Sequence, residues 1–138
     1  MLGIEAARVI IAEALKAGAG MKPLSVVVLD AGGHVIAFER SDGASPGRFD
    51  IARAKAYGAV MLGMGGKAQM ARAESQAYFM AALSSVYEGK ILPVPGGVLV
   101  RDGDGGILGA VGVTGDTSDN DAEAALAGIA AAGFRGEA

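Results

Sequence analysis

Two apolar runs separated by a short glycine turn constrain the fold of this chain more than any other feature. Residues 25–30 and 34–40 are rich in β-branched and aromatic side chains, and Ala31-Gly32-Gly33 lies between them. Such a pattern predicts an antiparallel hairpin. We expect Asp30 to hold the turn through side-chain bonds to backbone N–H groups and both glycines to adopt positive φ. A valine at either glycine should then impair folding.

The remaining pattern predicts four helices and a second hairpin, in the order α-β-β-α-α-β-β-α. The helices are expected at residues 4–17, 49–62, 68–86 and from 119 or 120 to 132, and the second hairpin at residues 98–101 and 107–113. Pro93 and Pro95 make residues 91–94 an extended or edge segment, because proline cannot donate to a ladder. This order favours an α+β fold with an antiparallel sheet between helical layers, a three-layer α/β/α arrangement.

The two turns resemble each other, since Asp30 precedes Gly32-Gly33 and Asp102 precedes Gly105-Gly106. One explanation is a distant internal duplication. The other is that tight hairpins repeatedly select aspartate and glycine for the same stereochemical reason.

Composition restricts the classes of function. A length of 138 residues predicts one domain, residues 1–138, and a net charge of −3 argues against a nucleic-acid partner. The chain has no cysteine, no long apolar run and no basic N-terminal leader, so we expect no membrane segment and a cytoplasmic location. Aromatic residues are scarce, so the core must be built from small aliphatic side chains. A protein surface formed by such small side chains is often buried against another subunit, which favours a homo-oligomer.

His34 is the only histidine and the only side chain whose ordinary pKa lies near neutrality. It could be a haem ligand, a general base or a solvated turn residue. A metal at His34 would need carboxylate or hydroxyl partners, whereas haem needs only one axial ligand from the protein.

Other candidates are cations and a glycine turn. Arg40 or Lys55 could bind an anion, although a surface ion pair or solvated charge also explains each of them. Gly96-Gly97 follows Pro95 and could offer backbone N–H groups to a carboxylate or propionate, or could simply turn the chain.

Several blocks along the chain resemble the GlcG/HbpS family, which includes the C-terminal domain of PduO-type proteins. The blocks are Leu29-Asp30-Ala31-Gly32-Gly33-His34 with its continuation to Ala44, Asp50-Ile51-Ala52-Arg53-Ala54-Lys55-Ala56, Pro95-Gly96-Gly97-Val98, Gly109 to Gly115, and Asp119-Asn120-Asp121. The resemblance implies a profilin-like core with a five-stranded antiparallel sheet, residues 91–94 forming the fifth strand or its edge, and assembly into higher oligomers. It also implies haem binding in some members and haem degradation, redox sensing or catabolic roles in others.

Three hypotheses follow. The first is a protein that binds haem or a related tetrapyrrole in an apolar cleft near His34, with Phe38 packing near the ring. The second is an isomerase- or lyase-type enzyme acting on a small organic acid, with His34 as general base and Arg40 or Lys55 as anion binder. The third is a non-catalytic accessory oligomer.

Overall fold

The computed structural model describes residues 1–138 as five helices and five strands. In chain order these are α1 (Ile4–Ala17), β1 (Ser25–Asp30), β2 (Val35–Arg40), α2 (Arg48–Leu62), α3 (Gly66–Ser75), α4 (Ala77–Val86), β3 (Gly97–Arg101), β4 (Ile107–Thr114), α5 (Ser118–Ala131) and β5 (Arg135–Glu137). None of the helices combines the length and apolar character needed to cross a membrane.

All five strands form one antiparallel sheet in the order β2-β1-β4-β3-β5. Both hairpins that the sequence predicts are present. The central strands β1 and β4 are almost entirely buried, whereas β2 lies at an edge and is half-exposed. The predicted α+β fold with a five-stranded antiparallel sheet is therefore confirmed.

Alternation along β1 divides the core between two faces of the sheet. Val26 and Val28 pack in a cluster with the apolar side chains of α1 and α5, and Val27 and Leu29 pack against α2. Since successive strand residues point to opposite faces, both faces of the sheet are covered. This confirms the three-layer arrangement.

Helix α2 lies unusually close to the sheet. A Cβ at Gly112 would lie 2.0 Å from the carbonyl oxygen of Ala52, and one at Gly97 would lie 2.1 Å from that of Lys55. Part of the glycine content therefore serves contact between helix and sheet backbones, with Ala56 filling the space beside Gly112.

Two predicted elements were wrong. The single helix expected at residues 68–86 is broken at Gln76, whose backbone has φ −136° and ψ 60°. Arg72 secures the break, because its Nε donates to Gln76 Oε1 at 3.1 Å and its guanidinium lies 4.1 Å from the ring centroid of Phe79.

The fifth strand is at the C-terminus, not at residues 91–94. β5 pairs with β3, and residues 91–94 form no strand. Prolines at 93 and 95 remove backbone donors from that segment, which leaves the outer edge of β3 for β5.

Candidate functional site

The His34 turn is held by a carboxylate. Asp30 Oδ1 accepts hydrogen bonds from the backbone N–H groups of Gly32 and His34, each at 2.9 Å, and Asp30 N–H donates to the carbonyl of His34 at 2.9 Å. This confirms the predicted role of Asp30. The prediction of a positive φ is confirmed at Gly33, which has φ 84°. The same prediction was wrong for Gly32, whose φ is not positive.

The imidazole of His34 projects into solvent with one nitrogen engaged. Its side chain is 81% exposed, and Nδ1 lies 3.3 Å from Asp30 Oδ1. The backbone N–H of His34, followed by that of Gly32 and the charge of the ring, lowers the pKa of Asp30 below its ordinary value of 3.8. Nε2 has no hydrogen-bond partner, so its position leaves it open to a ligand.

The turn rests on aromatic and sulfur-containing side chains. A Cβ at Gly33 would lie 3.1 Å from both Met61 Cε and Tyr57 Cε2. Tyr57 in turn makes an edge-to-face contact with Tyr87, with ring centroids 6.1 Å apart. The backbone that carries His34 is thereby anchored on α2 and on the end of α4.

An open cleft of about 520 Å³ lies between α1 and the free edge of β2. Its lining comprises mostly apolar residues, namely Ile4, Arg8, Ile11, Ala12, Ala37, Phe38 and Glu39. Its volume falls within the range of about 300–1,000 Å³ typical of small-molecule sites. His34 does not line it; four residues of strand place His34 about 13 Å from Phe38 along β2.

Lys55 is buried in an ion pair. Its side chain is 4% exposed, and Nζ lies 3.1 Å from Asp121 Oδ2 and donates to the carbonyl of Val113 at 3.1 Å. Burial lowers the pKa of Lys55, and the charge of Asp121 opposes this effect. Asp121 Oδ1 also accepts from the backbone N–H of Asp116 at 2.9 Å, so the pair joins α2, β4 and the start of α5.

Gly96 and Gly97 lie directly against Lys55. A Cβ at Gly96 would lie 2.9 Å from Lys55 Nζ, and both glycines are buried. The carbonyl of Gly96 accepts from Val113 N–H at 2.9 Å. In this arrangement the two glycines serve close packing beneath α2 and face the protein interior.

The structure places the candidate residues in three separate locations. Lys55, Gly96 and Gly97 are together, whereas Arg40 and His34 lie at opposite ends of the first hairpin. Arg40 is exposed and pairs with Ser25, at the end of β1 remote from the turn. Six residues of strand correspond to about 20 Å between Arg40 and His34.

Sequence reasoning missed the partner of Lys55 and the α1 side of the cleft. Nothing local marks Asp121 as the partner of Lys55, because the two residues lie 66 positions apart in the chain. The one available signal was the uncharged helix face around Lys55, formed by Ile51, Ala52, Gly58 and Ala59, where a lysine needs a partner if it is buried. No group of three His, Asp or Glu side chains is placed to hold a metal ion.

Comparison with known proteins gives a consistent result. A family model described as "Haem degrading protein HbpS-like" matches residues 2–130. Similar solved structures include a double mutant of Streptomyces reticuli HbpS (29% identity, TM-score 0.80, 94% of this chain and 86% of that one). Klebsiella pneumoniae protein ORFY is also similar (26% identity, TM-score 0.81, 94% and 89%).

A PduOC:heme complex shares the fold at 23% identity, with a TM-score of 0.84 over 94% of each chain. No curated protein sequence matches the chain.

Proposed function

Because the chain belongs to the HbpS-like family, we propose that it is a small haem-binding protein in which His34 Nε2 is the protein ligand of the iron. The observation that supports this most directly is the imidazole itself, 81% exposed and carried on an anchored turn with Nε2 free. Comparison adds that HbpS and a PduOC:heme complex share the fold.

The residues around the turn fit haem better than an isolated metal ion. A porphyrin supplies four nitrogen ligands, so one imidazole from the protein is sufficient to anchor it. No group of three His, Asp or Glu side chains is placed to form a bare metal site here. When bound, haem would supply redox and oxygen chemistry at its iron; this chain would hold the group and orient it.

The cleft between α1 and β2 offers an apolar surface along the strand that follows His34, whereas the ring of Phe38 packs on the opposite face of the sheet, toward α2. This cleft is the largest apolar cavity along the strand that begins beside His34. Phe38 is held in place by an edge-to-face contact with Phe49, with ring centroids 4.8 Å apart. We propose that an apolar ligand anchored at His34 extends along the β2 edge toward this cleft.

An organic-acid isomerase or lyase would need a cation beside His34. Arg40 is at the far end of the hairpin, and the ammonium of Lys55 is occupied by Asp121. The arrangement within one chain therefore favours haem binding. The accessory-oligomer hypothesis predicts that hemin does not bind.

Hemin titration of the wild-type protein and of His34→Ala tests the proposal. We expect a shifted Soret band at micromolar hemin, and in His34→Ala a loss of at least about tenfold in affinity, or ~1.4 kcal/mol. Added imidazole should restore the ligated spectrum to His34→Ala, because it replaces the missing ligand.

Val86→Ala is the control, because Val86 is 68% exposed on α4, away from β2, and carries no ligand atom. Equal Soret shifts in wild type and His34→Ala would remove His34 as the ligand. The absence of any shift in the wild type would reject haem binding altogether.

A further inference from the structure

We infer that Asp30 is a positioning residue for His34, holding the imidazole with its proton on Nδ1 so that the Nε2 lone pair faces outward. The inference concerns the free protein, and only its consequence for iron rests on the proposed function. Its basis is the contact of 3.3 Å between Asp30 Oδ1 and His34 Nδ1.

Hydrogen bonds within the turn hold the Asp30 carboxylate in place independently of its contact with the His34 ring. Asp30 Oδ1 already accepts two backbone N–H groups of its own turn at 2.9 Å, from Gly32 and His34. An acceptor held in this way presents a fixed direction to Nδ1. Because an ionised carboxylate can only accept, the contact of 3.3 Å favours the neutral tautomer with its proton on Nδ1.

Gly32 provides independent support for a defined ring position. Its φ is not positive, so its backbone conformation does not require glycine. A Cβ at position 32 would, however, lie 2.9 Å from His34 Nδ1 and Cε1. The space left by the missing side chain is therefore occupied by the imidazole as it lies over the turn toward Asp30.

Comparison with the second hairpin distinguishes the two roles of Asp30, which are to hold the turn and to contact the His34 ring. There Asp102 Oδ1 accepts from the backbone N–H groups of Asp104 and Gly106, each at 2.8 Å, and Gly105 has the same φ of 84° as Gly33. Gly106 stands where the first turn has His34. The same carboxylate turn thus forms without a histidine, so the contact with the ring is additional to the turn.

This arrangement resembles the way proteins prepare histidine to bind metals. A carboxylate that accepts from one ring nitrogen selects the tautomer, orients the ring and strengthens the other nitrogen as a donor. Changing such a partner typically lowers metal affinity or activity by roughly 10- to 100-fold. Asp30 would act on iron only through His34.

The first test needs no haem. His34 is the only histidine, so nitrogen NMR of ¹⁵N-labelled protein reports its tautomer without ambiguity. At a pH where the ring is neutral, we expect mainly the Nδ1–H form in the wild type. Asp30→Asn keeps an oxygen for the turn but removes the charge, and it should increase the Nε2–H form that free histidine favours.

Two further variants complete this test. Gly32→Ala should also increase the Nε2–H form, since the added methyl displaces the ring. Asp102→Asn makes the Asp30→Asn change in the turn without a histidine and should leave the tautomer as in the wild type. An Nε2–H ring in the wild type, no response to Asp30→Asn and Gly32→Ala, or an equal response to Asp102→Asn would overturn the inference.

The second test uses the hemin-loaded protein. Asp30→Asn should raise the iron reduction potential and weaken hemin binding by about tenfold, because a weaker imidazole donor stabilises ferric iron less. Asp102→Asn should change neither quantity. If wild-type protein binds no hemin, the proposed function fails while the tautomer measurement still decides the role of Asp30.

Discussion

At the scale of single residues, glycine serves two different purposes in the two equivalent turns. Gly33 and Gly105 both have φ 84°, a conformation that strains any residue with a side chain. They differ in surroundings, since a Cβ at Gly33 would press on Tyr57 and Met61 at 3.1 Å, whereas the nearest atom at Gly105 is 3.8 Å away, on Arg135. Alanine substitutions at these two glycines therefore distinguish the cost of backbone strain from the cost of side-chain crowding.

We predict that Gly105→Ala destabilises the protein by about 1–2 kcal/mol, the cost of a left-handed conformation. Gly33→Ala should cost about 1 kcal/mol more, because Tyr57 and Met61 must also move. Urea unfolding of the two variants and the wild type measures both values. Equal losses would show that the contacts at Gly33 relax without cost.

For Lys55, the sequence predicts the helix that carries the residue but not the burial of its side chain. Its helix and its neighbours Ala54 and Ala56 were evident, but its burial depends on Asp121, which lies 66 residues away. The His34 turn was more accessible, because Asp30 and the glycines that shape it are local in the chain. Local constraints could therefore be predicted, and the long-range ion pair could not.

At the scale of elements, Asp116 joins the entry of β1 to the start of α5. Its two carboxylate oxygens accept from the backbone N–H of Lys22 at 2.9 Å and from Asn120 Nδ2 at 2.7 Å. Asn120, followed by the backbone N–H groups of Lys22 and Thr117, lowers the pKa of Asp116 to about 2. The helix itself is capped by Thr117, whose side chain accepts from Asn120 N–H, so it begins at Ser118, slightly before the predicted start at residue 119 or 120.

This pKa predicts a contribution to acid stability. Between its ordinary pKa of 3.8 and the folded value of about 2, the unfolded chain binds more protons than the folded one, so stability falls as the pH falls through this window. In Asp116→Asn the free energy of unfolding should decline less steeply from pH 4 to 2. Urea unfolding across this pH range measures the slope.

Asp119→Asn is the control for this experiment, because Asp119 is an exposed carboxylate in the first turn of the same helix. Its slope should match that of the wild type. If Asp116→Asn has the wild-type slope as well, the bonds to Lys22 and Asn120 do not contribute to acid stability.

Element prediction succeeded where periodicity and turn residues agreed, and failed where specific side-chain contacts or pairing with a distant strand decided the structure. Residues 68–86 contain no glycine or proline, so nothing local indicated the break at Gln76, which Arg72 and Phe79 stabilise. β5 has only three residues and becomes a strand by pairing with β3. The partner strand of β5 lies far earlier in the chain, and the break at Gln76 depends on side-chain contacts that no glycine or proline announces.

At the scale of the whole molecule, the α3–α4 arm is less well buried than the sheet. Five of the six residues of β1 are buried, whereas the buried residues of α4 are Met80 and Leu83. α4 has no charged side chain and exposes Tyr78 and Val86. The homo-oligomer expected from composition stays a prediction, because the structure contains one chain.

The difference in burial predicts unequal stability within one fold. Amides of α4 should exchange with solvent through local opening, with a lower free energy than those of β1, which should need global unfolding. Leu83→Ala should accelerate exchange in α4 by removing a buried side chain, at a local cost of about 2 kcal/mol, and leave β1 unchanged. Val86→Ala, at a position 68% exposed on the same helix, should alter neither. Native-state hydrogen exchange followed by NMR measures all three proteins. If the amides of α4 exchange as slowly as those of β1, the arm is not peripheral in solution, and a covering surface from another copy of the chain becomes the explanation to test.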